Sequence, residues 1–209
     1  FGAKEMLDGM KIKEVAVADY LSKTYTYPVY TMIDVQDYNM HKENVVFDKA
    51  EFYSNPEHFT SNFERFTKVS DIFIAGHFYG NNAPHILTRD MLKSADNKIK
   101  VIADISCDVQ GPIASTLRAS TIADPFYGYY PSEDKEVDIQ HPGAIVVMAV
   151  DNLPCELPKD ASVGFGEMFL EHVIPAFFNN DKDGVLQRAK MTENGKLTKR
   201  FEYLTDYIS

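Results

Sequence analysis

Three stretches of the chain each run an apolar strand into a small-residue or acidic turn: Asp71-Ile-Phe-Ile-Ala-Gly76, Val101-Ile-Ala-Asp-Ile-Ser-Cys-Asp108 and Ala144-Ile-Val-Val-Met-Ala-Val-Asp151-Asn-Leu-Pro154. In an open α/β sheet the ligand lies outside the carboxyl ends of the strands, so three such ends outline a crevice. The connections between them are long enough to cross over. The expected fold is therefore α/β, with a Rossmann-like, mostly parallel sheet carrying helices on both faces. Many chemistries share that fold, so function has to be read from the site.

The start of the chain adds a constraint. Gly2-Ala3 leads directly into a helix over 2–9 with Gly9 as C-cap, and a strand over Ile12–Val17 follows. A helix entered from glycine and leading to a strand is the second half of a βαβ unit, and Gly2 suits the end of a glycine-rich phosphate turn. The expectation is a sheet lacking its first, central strand, with an apolar slot that a longer polypeptide or a complementing chain fills. The stretch 24–59 is too long for a typical loop, and an insertion or a strand such as Val29–Val35 is expected within it. Phe59, Phe63 and Phe66 at i, i+4 and i+7 predict a helix from Pro56 to Phe66. Thr88 reads as an N-cap. The segment 109–143 is long and variable, Pro158 to Phe178 reads as an amphipathic helix, and Asp183 to Tyr207 as two helices parted near Asn194-Gly195.

Composition narrows the partners. At 209 residues and 44% hydrophobic, the chain can bury a full core. A net charge of −10 argues against nucleic acid and anionic membrane surfaces, which need a concentrated basic face. No run approaches the roughly 20 apolar residues of a membrane span. Cys107 and Cys155 lack metal-type spacing and are read as free thiols in a reducing, cytoplasmic compartment.

Each candidate site residue also has a plain structural reading. Asp151 and Asn152 end a buried strand and can serve a ligand, or bond their own backbone in the turn before Pro154. Asp104 and Asp108 flank Ser106 and Cys107 but bring no histidine or third carboxylate, so no metal is expected there. His77 follows Ala75-Gly76 and can donate to a ligand or serve structure. His141 and His172 carry no stronger reading. Gly164-Phe-Gly166 mimics part of a dinucleotide fingerprint, but no strand precedes it. The strand expected to end near Val17 has Asp19 as its nearest acid, which leaves NAD or NADP open as cofactor.

Taken together, Tyr53-Ser-Asn-Pro-Glu-His-Phe-Thr-Ser-Asn-Phe, Ile72-Phe-Ile-Ala-Gly with Ala83-Pro-His-Ile-Leu-Thr-Arg-Asp90, Ala103-Asp-Ile-Ser-Cys-Asp108, Ser120-Thr-Ile-Ala-Asp-Pro-Phe126 and Val150-Asp-Asn-Leu-Pro-Cys-Glu-Leu-Pro158 stand in one order over roughly residues 1 to 180. In these segments the chain resembles the lysine-ketoglutarate reductase and saccharopine dehydrogenase group of the alanine dehydrogenase and transhydrogenase family. The resemblance implies a dinucleotide-binding domain over 1–153 and a helical segment over 154–209 that packs on an amino-terminal substrate domain outside this sequence. It implies that Gly2, Gly76, His77, Ile105, Ser106, Val150, Asp151, Asn152 and Leu153 bind NAD or NADP. It makes Asp108 the one catalytic candidate, with the lysine and histidine of the acid-base work outside the chain.

The implied reaction joins lysine and 2-oxoglutarate through an imine and reduces it to saccharopine, or runs in reverse. Such amino and keto acids carry several carboxylates, which recruit bidentate arginines. Only Arg89 and Arg118 lie near the featured segments, which fits a domain that holds cofactor while another holds substrate. An alanine-type amino-acid dehydrogenase and a non-catalytic nucleotide-binding module are the competing readings. A homo-oligomer or a complementing chain is the expected protein partner.

Overall fold

The computed structural model describes residues 2–80 and 82–208, so Phe1 before the first helix and Asn81 of the 77–84 turn lie outside the described residues. The chain divides into two compact units, 1–152 and 153–209.

In the first unit, helix α1 (Gly2–Gly9) closes with Ile12 N–H on the Leu7 carbonyl and Lys11 N–H on the Asp8 carbonyl. This is a Schellman-type stop, and the left-handed residue it requires is Lys11, φ 59°, rather than Gly9. The strand expected over 12–17 is only β1 (Lys13–Glu14), because Val17–Ser22 turns into helix α2. Strand β1 pairs in parallel with β2 (Val29–Tyr30), the core of the strand expected over 29–35. Next come α3 (Val35–Tyr38), β3 (Asn39–His41), α4 (Lys49–Ser54), a 3₁₀ turn over Pro56–His58, and β4 (Phe59–Ser61), antiparallel to β3.

The helix expected over 56–66 is therefore replaced by turn, strand and the short α5 (Glu64–Thr67). The reason lies in where the rings go. Phe59 packs edge-on against Phe52 and Phe47 beside the β3–β4 ribbon, whereas Phe63 and Phe66 enter the main core against each other, with Phe73 4.6 Å from Phe63. One helical stripe could not serve both places.

The main sheet is built from β5 (Ile72–Ala75), β6 (Val101–Asp104), β7 (Phe126–Tyr130), β8 (Lys135–Val137) and β9 (Ile145–Met148), in the order β5-β6-β9-β7-β8. The block β5-β6-β9 is parallel, and the hairpin β7–β8 adds to it antiparallel. Between β5 and β6, α6 (Arg89–Lys93) begins at Thr88, whose hydroxyl accepts from Met91 N–H as an N-cap should. The fold is the expected Rossmann-like α/β fold, with a parallel block that the hairpin extends into a mixed sheet. The hairpin hides in the stretch read as variable, and it needs Gly128. A Cβ there would lie 2.7 Å from the Asp138 carbonyl oxygen.

Ile102 and Val147, on the two inner parallel strands, are fully buried. Strand β5 is different. Asp71 and Ala75 carbonyls accept from Val101 and Ile105, so Ile72 and Ile74 direct their backbone groups to the outer edge. That edge carries exposed isoleucines, Ile72 at 60% and Ile74 at 38%, and the parallel pair β1–β2 forms a separate sheet.

In the second unit, a 3₁₀ turn over Leu153–Glu156 precedes α7 (Pro158–His172). The single helix expected to Phe178 breaks at Val173, because Pro175 has no N–H for the ladder and instead opens α8 (Ile174–Phe178). Beyond α9 (Val185–Ala189) the chain forms a hairpin, β10 (Thr192–Glu193) with β11 (Lys196–Leu197), and then a 3₁₀ run over Lys199–Tyr207. Asn194 (φ 51°) and Gly195 (φ 75°) make the two-residue turn, so this pair marks a hairpin rather than a gap between helices. No described helix is long and apolar enough to cross a membrane.

Candidate cofactor site

The parallel register aligns the carboxyl ends of β5, β6 and β9 at one edge. Gly76 and His77 follow β5 there. Ile105, Ser106 and Asp108 follow β6, and Val150, Asp151 and Asn152 follow β9. Gly2 stands at the head of α1, where an added Cβ would meet nothing within 4 Å. Leu153 opens the second unit. Of the residues at the edge, Val150 is buried, whereas Asp151, Asn152 and Ile105 are exposed.

Asp104, with no exposed surface, builds the central turn. Its Oδ1 accepts from Ser106 N–H at 3.1 Å, Ser106 Oγ at 2.5 Å and Cys107 N–H at 3.3 Å, while Oδ2 accepts from Thr116 Oγ1 at 2.5 Å. These bonds bend the chain back on itself, with Cys107 at φ 54°, and present Asp108 outward. Asp104 is thus an organiser with no free oxygen for a ligand. At β9, Ala149 N–H donates to Ser120 Oγ at 3.0 Å and Ser120 N–H to the Ala149 carbonyl at 2.8 Å, which fixes the exit toward Asp151. Asp151 lies near enough to join Asp104 and Asp108 in raising the Cys107 thiol, after burial, the largest cause.

A cleft of about 470 Å³ opens beside this turn, lined by Tyr79, His85, Cys107, Asp108, Gln110 and neighbours from the loops that leave β5 and β6. Its volume is in the range of small-molecule sites, about 300–1,000 Å³. Another cleft, of about 440 Å³, touches Asp71, Lys100 and Ile145 at the amino ends of the same strands. A sheet ligand is expected at the carboxyl ends, so the 470 Å³ cleft is the candidate.

Two observations test the fit of a dinucleotide at this edge. Nothing lies within 4 Å of the Cβ position of Gly76, so the backbone there is open to close approach. Beside it, His77 Nε2 is buried without a hydrogen-bond partner, a polar atom that a bound group would satisfy. Burial lowers the His77 pKa, and Asp104 and Asp108 oppose that shift.

The lowered pKa gives a pH prediction. Unfolding returns His77 to about 6.5, so the unfolded chain binds the extra proton first. The stability due to neutral His77 is present above that value and lost as pH falls through it. A His77→Phe variant should lose less stability than the parent between about pH 7.5 and 5.5. Urea midpoints at both pH values provide the measurement, and an equal loss in the two proteins would refute it.

The two arginines near the featured segments are engaged by the β7–β8 hairpin. Arg118 forms a two-pronged pair with Glu136 at 2.8 Å for each prong, over the Tyr127 ring. Arg89 donates to the carbonyls of Pro131 and Ser132. Both stabilise the β7–β8 hairpin. Sequence reasoning missed Tyr79, Gln110, Thr116 and Gly111. Tyr79 sits in the turn after β5, which carries no periodicity, and Thr116 carries no motif at all. It also missed Glu14, the acid that ends β1 and pairs with Lys4.

This geometry defines a Rossmann-like α/β domain with a cleft at the carboxyl ends of its strands, and comparison with known proteins specifies its family. Residues 29–202 match the family described as alanine dehydrogenase/PNT, C-terminal domain, and the chain belongs to that family. It is 31% identical over 193 residues to alpha-aminoadipic semialdehyde synthase of Arabidopsis thaliana, covering 88% of this chain and 18% of that protein. To the mitochondrial alpha-aminoadipic semialdehyde synthase of Mus musculus it is 26% identical over 226 residues, covering 96% of this chain and 24% of the relative. A saccharopine dehydrogenase [NAD(+), L-lysine-forming] of Schizosaccharomyces pombe is 27% identical over 131 residues, 60% of this chain and 33% of that enzyme. The chain thus spans less than a quarter of the length of each of these synthases.

Proposed function

We propose that residues 1–152 form the NAD- or NADP-binding part of an oxidoreductase acting on the C–N bond of an amino acid, of the kind that makes or cleaves saccharopine. The observation that carries this reading is a cleft at the carboxyl-end loops of β5 and β6, lined by Tyr79, His85, Cys107 and Asp108, with an open Gly76 and an unpartnered His77 nitrogen on the loop that leaves β5. The relatives' names supply the reaction class. A bound nicotinamide supplies or accepts the hydride.

The chain's own residues orient the ligand and manage protons. His77 Nε2 bonds a polar atom of the ligand, and Gly76 allows close backbone approach. Asp151 and Asn152 offer side chains beside the β9 end. Asp108, held outward by the Asp104 turn, takes or returns a proton at its carboxylate on the cleft side. Arg89 and Arg118 are engaged by the hairpin, so the substrate's carboxylates are held by groups outside residues 1–152. The outer edge of β5 could take a further strand, from a longer polypeptide or a second chain. Residues 153–209 form the helical segment that meets the substrate-bearing part. Two free thiols suit a reducing compartment, and the cytoplasm is the proposed site.

Calorimetric titration with NADH and NADPH tests the cofactor assignment. One of the two should bind, and Asp151→Ala should weaken it by about tenfold, the loss of one good polar contact. An unchanged affinity would remove Asp151 from the site. In a polypeptide extended to the length of the relatives, lysine plus 2-oxoglutarate should oxidise the reduced cofactor and pyruvate plus ammonia should not. The reverse result would favour an alanine-type dehydrogenase, and cofactor binding without turnover in either mixture a nucleotide-binding module.

A further inference from the structure

We propose that His41, Glu51 and His58 form a binding site for a divalent transition-metal ion of the zinc type. The three residues lie outside the cofactor cleft. They come from three pieces of one short segment: His41 from the end of β3, Glu51 from the first turn of α4, and His58 from the 3₁₀ turn before β4. One ligand atom from each lies within 4.8 Å of the others. Glu51 Oε1 is the hub, 3.6 Å from His41 Nε2 and 3.2 Å from His58 Nδ1.

Those separations suit a tetrahedral ion. With zinc to nitrogen or oxygen at about 2.0–2.1 Å, neighbouring ligand atoms stand about 3.3 Å apart. Both distances to the carboxylate are already within a few tenths of an ångström of that. Only the two imidazoles have to close, and the half-exposed His58 can swing while the buried His41 stays fixed. Two imidazoles and one carboxylate are ligands for zinc and its neighbours rather than for calcium or magnesium, which take oxygen.

The surroundings favour a bound ion. The His41 ring stands edge-on to Phe59 at 5.1 Å, and Phe59 in turn packs on Phe47 and Phe52, so one side of the site is dry. Lys42, the nearest cation in sequence, donates its ammonium to the Glu57 carbonyl rather than to Glu51. One bond must be given up. Glu43 N–H donates to His41 Nδ1 at 3.1 Å, which puts the imidazole proton on Nε2. Metal loading moves that proton to Nδ1 and frees the Glu43 amide toward water, with no net change in His41 protons. That rearrangement weakens binding, so an affinity in the micromolar range is expected rather than that of a closed structural site.

Bound there, the ion would fasten β3, α4 and the 3₁₀ turn together. With two imidazoles and one carboxylate on the metal, a fourth position is left to water.

Titration of the 209-residue chain with zinc, followed by calorimetry, tests this. Expected are one ion per chain and a melting temperature raised by about 5 °C or more at a hundredfold excess over Kd. Cobalt should give the visible absorption of a four-coordinate ion. Glu51→Gln and His58→Ala, both at partly exposed positions, should each weaken zinc by at least about tenfold and abolish the thermal shift. His141→Ala and His172→Ala should change neither. If no stoichiometric zinc binds up to about 100 μM, well past the micromolar range expected, the three residues are a hydrogen-bonded cluster only and the proposal falls. It falls equally if binding survives in the Glu51 and His58 variants, because the ion then sits on other histidines. Neither outcome touches the dinucleotide reading, whose residues lie on other strands.

Discussion

Asp104→Ala will lower the unfolding free energy of the chain by about 3 kcal/mol, the scale of removing a buried acceptor that serves several donors at once. The carboxylate is fully buried and takes four hydrogen bonds, two from backbone amides and two from hydroxyls. Removing it strands Thr116 Oγ1 in a site that is 1% exposed, where water cannot replace the acceptor. The Ser106 and Cys107 amides are nearer the surface and recover part of their loss. Asp104→Asn keeps the shape and one acceptor oxygen but turns an amide N–H₂ toward one of the donors, so it should cost about half as much. Equilibrium urea unfolding of the two variants and the parent gives the comparison. A loss under about 0.5 kcal/mol for the alanine variant would mean the turn is held by its backbone alone. Because this turn presents Asp108 to the cleft, the alanine variant should also lose dinucleotide affinity, and Asp104→Asn much less of it.

The three strand-to-turn stretches were legible because their signal is local: an unbroken apolar run followed by small or acidic residues reads as a buried parallel strand wherever it sits. The same logic found Thr88 as a cap. It failed where tertiary pairing decides. Val15-Ala-Val17 has the β-branched content of a strand, yet the pairing with Val29–Tyr30 stops at Glu14 and the chain turns into a helix. Phe59, Phe63 and Phe66 carry a helical period, but their rings belong to two different clusters, and a period cannot say so. The β7–β8 hairpin was lost in a segment of tyrosines, glycine and proline whose alternation is weak. Its register is set by Gly128 and by Tyr129 donating to Asp134 at 2.7 Å, which only the folded hairpin brings together. The candidate site divides in the same way. The strand ends themselves are readable from sequence, whereas Tyr79, Gln110 and Thr116 reach the cleft or its support through loops that no periodicity marks. The exposed Ile72 and Ile74 at the outer edge of β5 are likewise a product of pairing, because β5 bonds a neighbour on one side only.

Gly111→Ala will displace Asp108 and cost about 1–3 kcal/mol, the usual penalty for forcing a methyl into filled space. A Cβ at Gly111 would stand 2.6 Å from Asp108 Cβ and 2.7 Å from the Asp108 carbonyl oxygen. One of those atoms is backbone, so no rotamer change relieves the clash and the loop itself must open. The loop is tied at both ends: Gly111 N–H donates to the Asp108 carbonyl at 2.8 Å, and Gln110 N–H reaches the Thr116 carbonyl at 3.2 Å. Opening it breaks the first bond and shifts the carboxylate that faces the cleft. The variant should therefore differ from Asp108→Asn, which removes the charge and leaves the loop intact. Asp108→Asn should keep the parent's urea midpoint and, in the extended polypeptide, lower turnover by about 10²–10⁴ if Asp108 moves a proton. Gly111→Ala should lower both the midpoint and turnover, because it moves the same group by deforming its support. Should Gly111→Ala leave the midpoint unchanged, the close approach of the two residues is not a constraint on the fold. Should Asp108→Asn leave turnover unchanged while Gly111→Ala reduces it, the loop shapes the cleft and the proton is carried by another group.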